Sequence, residues 1–126
     1  VEDLMIEKSD IPFINENSGM KKALGIITKK KLGLLIAISK NKQTTGIITD
    51  GQIRRSIQKE TNLKDLKVRD IMTKNPVSVD KETLAVKALS IMSEKKITSL
   101  CVHKNFNKKK TIGILHIHHI LNANIQ

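Results

Sequence analysis

The segment Thr49-Asp50-Gly51-Gln52-Ile53-Arg54-Arg55 holds the densest set of groups able to grip a ligand. Gly51 permits close backbone approach, and a helix starting here would present free N–H groups to an acceptor. Arg54 and Arg55 fall one turn into that helix, where a guanidinium can hold a phosphate or carboxylate through charge-assisted bonds. The alternative is a pair of solvated helix residues. A second set is Thr98 and Ser99, hydroxyls that break the otherwise apolar run from Ile97 to Val102. They suit a sugar or phosphate contact, or else they satisfy neighbouring backbone. A third set is His116, His118 and His119. His116 and His119 can share a helical face, but no Cys, Asp or Glu lies near them in sequence to complete a metal set. They read as ligand contacts or plain surface histidines, and no metal is expected. No nucleophile with its base and orienting acid, no paired carboxylates and no phosphate-binding glycine loop is present. No catalytic residue and no cofactor is therefore predicted.

These groups must be positioned by the elements around them, and the elements repeat. Val1-Glu2-Asp3-Leu4-Met5 matches Val68-Arg69-Asp70-Ile71-Met72. Met20, Ala23, Leu24 and Ile27 follow the i, i+3, i+4, i+7 spacing of an amphipathic helix, and Ala85, Ala88, Leu89 and Met92 follow it again. Leu32–Ile38 and Ile97–His103 are short apolar runs that read as strands. Gly46-Ile47-Ile48-Thr49 then matches Gly113-Ile114-Leu115-His116, each leading into a short helix through Ile53 and Ile57 or through Ile120 and Leu121. Each half reads strand, helix, strand, strand, helix, which makes the fold class α/β. The repeats span 1–58 and 68–126, joined by a polar connector over 59–67. Ser18 and Asp80 with Thr83 are the expected helix starts, and Lys29-Lys30-Lys31 complements the end of the first long helix. Asn105–Lys110 reads as a polar insertion between strands. Neither half is long enough to bury a helix-covered sheet well alone, so two halves packed sheet to sheet are expected.

Composition narrows the classes. Hydrophobic residues at 39% and charged residues at 28% of 126 residues describe a globular chain with a core. No apolar run approaches the roughly 20 residues that cross a bilayer, so no membrane partner is expected. The opening residues are acidic and mixed rather than those of a signal peptide, and the missing initiating Met fits a piece of a longer protein. The single cysteine, Cys101, sits in an apolar run and reads as a buried thiol in a cytoplasmic protein. The net charge of +11 favours small anionic partners. Lysines spread along the whole chain, with Phe13 and Phe106 the only aromatics besides histidine, argue against nucleic acid.

The opening motif, followed in the second half by Asn75-Pro76-Val77-Ser78-Val79, and the glycine-led strand running into a short helix resemble the CBS domain, here as a tandem pair covering essentially the whole chain. Gly46–Arg55, Ile97–Leu100 and Gly113–Leu121 are similar to the C-terminal regulatory part of bacterial arabinose 5-phosphate isomerases, a family with a sugar-isomerase domain in front of its CBS pair. The resemblance implies two repeats packed with pseudo-twofold symmetry around a ligand cleft, a homodimer, and regulation of an aldose–ketose isomerase of lipopolysaccharide synthesis. It also implies that this chain lacks the catalytic domain. Nucleotide-binding CBS repeats place a ribose-holding aspartate where this chain has Gln52 and His119. The ligand expected is therefore a small anionic sugar or nucleotide-sugar, such as a CMP-activated sugar acid. The residues expected to bind it are Thr49, Asp50, Gln52, Arg54, Arg55, Thr98, Ser99, His116 and His119. A purely structural dimerisation module without ligand is the alternative.

Overall fold

The computed structural model describes residues 1–30, 32–59 and 62–123. Among them, in chain order, run β1 (Ile6–Glu7), β2 (Phe13–Asn15), α1 (Met20–Lys30), β3 (Leu34–Ile38), β4 (Thr44–Thr49), α2 (Asp50–Gln58), α3 (Val68–Ile71), β5 (Thr73–Lys74), β6 (Ser78–Asp80), α4 (Ala85–Lys95), β7 (Ser99–His103), β8 (Gly113–His116) and α5 (Ile117–Ala123). The chain divides into two compact units, a central one of Pro12–Pro76 and a split one of Val1–Ile11 with Val77–Gln126.

In the central unit the sheet order is β2-β3-β4-β5. β2 runs parallel to β3, the pairing that a helical crossover such as α1 allows, and the remaining pairs are antiparallel. The apolar face of α1 buries Met20, Ala23 and Ile27 with Ile14, Leu35, Ala37, Ile48, Ile53 and Val68. The split unit repeats the plan strand for strand as β6-β7-β8-β1, again with one parallel pair followed by two antiparallel ones. Here Ala88 and Met92 of α4 pack with Val79, Leu100, Val102, Leu115 and Ile120. Of the residues that their periodicity selects, the two long helices bury Met20, Ala23, Ile27, Ala88 and Met92 and leave Leu24, Ala85 and Leu89 partly buried against the same cores.

The opening segments differ from the five-element reading. Each adds a two-residue strand, and that strand closes the sheet of the other sequence repeat: Ile6 pairs with Ile114, and Thr73 with Ile47. The compact units and the sequence repeats therefore divide the chain at different places. Glycine explains the fit. A Cβ at Gly46 would lie 2.7 Å from Met72 Cγ, and one at Gly113 would lie 2.9 Å from Met5 Cγ. The methionine of each opening motif packs against a strand glycine, Gly46 inside β4 and Gly113 at the start of β8.

Two expected caps act otherwise. Ser18 contributes its carbonyl, which accepts from Val68 N at 2.8 Å, while Met20 N donates to Leu66 O at 3.1 Å. Asp80 Oδ1 accepts from Glu82 N at 3.0 Å and so shapes the turn ahead of α4, whose N-cap is Leu84 without a side-chain bond. Lys29 is exposed near the end of α1. Lys31, the side chain of Lys30 and connector residues Glu60 and Thr61 lie outside the described residues. Cys101 is buried, and burial pushes its thiol up to about 11 against the lowering effect of a Thr111 hydrogen bond. One polar pair had no signal in the sequence: buried His103, 4% exposed, meets half-buried Ser78 Oγ through Nδ1 at 2.6 Å.

Candidate functional site

The junction of β4 and α2 gathers the first predicted set. Thr49, in extended conformation at the N-cap, accepts from Gln52 N through Oγ1 at 3.4 Å, and Gln52 Oε1 accepts from Thr49 N at 2.8 Å. This reciprocal capping box satisfies two donors of the helix start. Asp50 N donates to Gly33 O at 2.9 Å. The helix start is therefore not the open donor array expected from the sequence, because its own side chains and the neighbouring loop take those donors first. Gln52 is further engaged through Nε2, which donates to Thr73 Oγ1 at 2.6 Å. Gly33, at φ +72°, occupies left-handed backbone, and Asp50 Oδ2 lies 3.3 Å from where a Cβ would stand.

The close approach at Gly51 is made by Arg55, whose Nη1 would lie 3.2 Å from a Cβ there. The guanidinium thus folds back over the first turn. It lines a cleft of about 410 Å³ together with Gln52, Ser56, Lys59, Leu66, Asp70 and Ile71. That volume falls in the range of small-ligand sites. One wall follows the i, i+3, i+4, i+7 face of α2 from Gln52 to Lys59, which carries two cations. The other wall has apolar Leu66 and Ile71 and the carboxylate of Asp70, which accepts from Lys67 N at 2.9 Å. Arg54 is exposed on the same helix and is not among the lining residues. Ser56 and Lys59 were legible as the continuation of the Gln52 face, whereas Leu66, Asp70 and Ile71 come from a segment read only as connector and opening motif.

The split unit brings its own set together. Ser99 is the register partner of His116, and Thr98 O accepts from Ile117 N at 2.8 Å. Among the described residues neither the Thr98 nor the Ser99 hydroxyl bonds to neighbouring backbone. At the start of α5 His116 N donates to His119 Nδ1 at 3.1 Å, as Thr49 N donates to Gln52 Oε1, and His118 N donates to His116 Nδ1 at 3.1 Å. A backbone N–H can only donate, so both Nδ1 atoms carry lone pairs and both neutral rings hold their proton on Nε2. Each ring therefore shows a neighbour an N–H donor and has no spare lone pair for a metal. Burial first, then the adjacent histidines, hold His116 and His119 below their ordinary range. Among the described residues no three His, Cys, Asp or Glu side chains are grouped to hold a metal ion.

The family model of the CBS domain matches residues 1–59 and again 68–125. The chain belongs to this family. A CBS pair accounts for both repeats and for their shared sheet order. Over 125 residues, 99% of the chain, it is 34% identical to an uncharacterised protein of Rickettsia prowazekii and 32% identical to arabinose 5-phosphate isomerase KdsD of Yersinia pestis. The match spans 38% and 37% of those two proteins. The chain thus covers little more than a third of the curated relatives it matches, and the rest of KdsD has no counterpart in these residues. Among solved structures, CBSX2 from Arabidopsis thaliana superposes with a TM-score of 0.84 at 25% identity, covering all of this chain and 94% of that one. A crystal structure of CBSX2 in complex with AMP matches with a TM-score of 0.82 at 26% identity, covering 99% and 95%. Among the described residues no helix is long and apolar enough to cross a membrane.

Proposed function

We propose that this CBS pair is the ligand-sensing regulatory part of a cytoplasmic, homodimeric sugar-phosphate isomerase. In this reading a small anionic sugar or nucleotide-sugar binds Thr49, Asp50, Gln52, Arg54 and Arg55 in the central unit, and Thr98, Ser99, His116 and His119 in the split unit. The isomerase assignment is supported by the KdsD relatives, and ligand sensing by the AMP complex of a related CBS pair. The ligand class rests on one observation: the cleft of the central unit sets Arg55 and Lys59 along one wall. Cations so placed suit phosphate or carboxylate, while Gln52 and His119 offer sugar hydroxyls neutral partners in place of a carboxylate. An end product of the route that consumes the isomerase product, such as a CMP-activated eight-carbon sugar acid, has this chemistry. Its effect on the enzyme equals its difference in affinity for two states of the module.

A second reading, a structural module that dimerises and binds nothing, is favoured by the bonds at the two helix starts that already engage Gln52 and one nitrogen of His119. A thermal-shift screen of sugar phosphates and CMP-sugars separates the two. A ligand at a hundred times its Kd stabilises by about 2.7 kcal/mol, several degrees in Tm. If no anionic sugar shifts Tm, the structural reading stands. Incubation of these residues with ribulose 5-phosphate is expected to yield background conversion only, and turnover that survives repurification would exclude a purely regulatory role.

A further inference from the structure

We propose that the first turn of α5 is a proton-operated clasp, closed when His116 and His119 are neutral and released when either takes a proton on Nδ1. The clasp is made by the protein's own groups and needs no ligand. The central unit supplies the comparison. There the same two places are held by Thr49 and Gln52, whose side chains do not titrate: Gln52 Oε1 accepts from Thr49 N as His119 Nδ1 accepts from His116 N, while Thr49 Oγ1 accepts from Gln52 N where His116 Nδ1 accepts from His118 N. In the split unit both acceptors are imidazole nitrogens, each receiving a backbone N–H at 3.1 Å. A proton on either Nδ1 replaces the lone pair with a second donor aimed at that N–H. The bond is then lost, and a positive charge is left at the helix end where backbone donors already concentrate positive potential.

The surroundings offer such a charge no relief. His118 stacks on His116 with ring centroids 4.8 Å apart, and His119 stands edge-on to His116 at 6.0 Å, so the rings oppose one another's protonation. Within α5 itself the only titratable groups are His118 and His119, and β8 adds only His116. α4, which packs on α5, carries Lys87, Glu94 and Lys95, all exposed. β7, beside β8, carries His103 at its far end, and β1 carries Glu7, the register partner of Gly113. Among the described residues no carboxylate pairs with either ring. Buried Ile120 holds α5 to the unit's core, and the α5 backbone reaches the β7 segment through Ile117 N and Thr98 O. Release of the clasp therefore loosens the turn at which the second repeat's predicted ligand contacts converge.

The test uses the 126-residue chain and amide hydrogen exchange read by NMR, normalised to intrinsic rates. Protection of the His116 and His118 amides is expected to fall at least tenfold between pH 7.5 and 5.0, while that of Ile48 stays level. The double variant His116→Thr/His119→Gln installs the cap of the central unit, in which the side chain three residues on accepts from the backbone N–H, and is expected to keep the amide of residue 116 protected at both pH values. No fall in the parent chain, or an equal fall in the double variant, would overturn the proposal. Should the double variant not fold, ring ¹⁵N shifts of the parent chain decide instead. At pH 7.5 His116 and His119 must both show the Nε2–H form, and an Nδ1–H form at either one refutes the clasp.

Discussion

Replacing Gly46 by Ala tests how the opening motif is held. The added Cβ would stand 2.7 Å from Met72 Cγ and 2.9 Å from Thr73 O, and against Met72 Sδ as well. The methionine can swing aside. The carbonyl cannot move without disturbing the pairing of Gly46 with Lys74. Overpacking of this kind costs about 1–3 kcal/mol, offset by roughly 0.5–1 kcal/mol from the stiffer unfolded chain. The expected net loss is about 1–2 kcal/mol, or roughly 3–10 °C in Tm for a domain of this size. Because Thr73 also receives the Gln52 amide, the same substitution should loosen the α2 cap. Urea unfolding followed by circular dichroism, with and without Met72→Ala, gives a double-mutant cycle. Trimming the methionine should recover about 0.5 kcal/mol or more of coupling. A Gly46→Ala chain as stable as the parent, or a penalty indifferent to Met72, would refute this account of the repeated glycine and methionine.

Three other outcomes are expected. Once thermal shift identifies an anionic ligand, Arg55→Ala should weaken its binding roughly tenfold or more by calorimetry, as loss of a charge-assisted contact does. Arg54→Ala, outside the cleft lining, should cost less, and equal losses would count against the cleft. AMP and ATP should bind weakly or not at all, since Gln52 and His119 stand where a ribose-holding carboxylate is usual, and a low-micromolar constant for either would oppose this. Stability should be full above pH ~6.5 and decline as pH falls, because His103, His116 and His119 are all held below their ordinary value and the unfolded chain then binds more protons. At the other extreme, Cys101 raised from 9.0 to about 11 should withdraw roughly 3 kcal/mol as pH climbs through that interval. Denaturation midpoints that stay flat across both ranges would contradict these signs.

Much of the architecture was legible because it is local. The spacing of Met20, Ala23 and Ile27, repeated by Ala88 and Met92, marks two helix faces that the core then buries. The glycine-led strands and the helices after them follow from Gly46–Thr49 and Gly113–His116. β1 and β5 escaped notice because two residues carry no periodicity, and only partners far along the chain make them strands. The site divides the same way. Thr49 and Gln52 stand three apart with the chemistry of a capping box, so their mutual bond could have been foreseen. The contribution of Asp70 and Ile71 to a cleft beside α2, and the Ser78–His103 pair, depend on tertiary placement that no spacing reveals.

The exchange of opening segments has a consequence for the handling of the chain. A lone repeat would lack the strand that closes its own sheet and would present β4 or β8 as a bare edge, an invitation to a second copy. Two separate copies can each lend that strand to the other, whereas one copy cannot finish itself. The tandem chain thus holds within one molecule the strand exchange that two lone repeats would have to make as a dimer. The same logic warns the protein engineer. Cutting in the connector would yield two fragments that complement one another when mixed, and expressing either alone invites aggregation at the open edge. Closing the sheet of the split unit pairs Ile6 with Ile114, a contact distant in sequence and of the kind that slows folding.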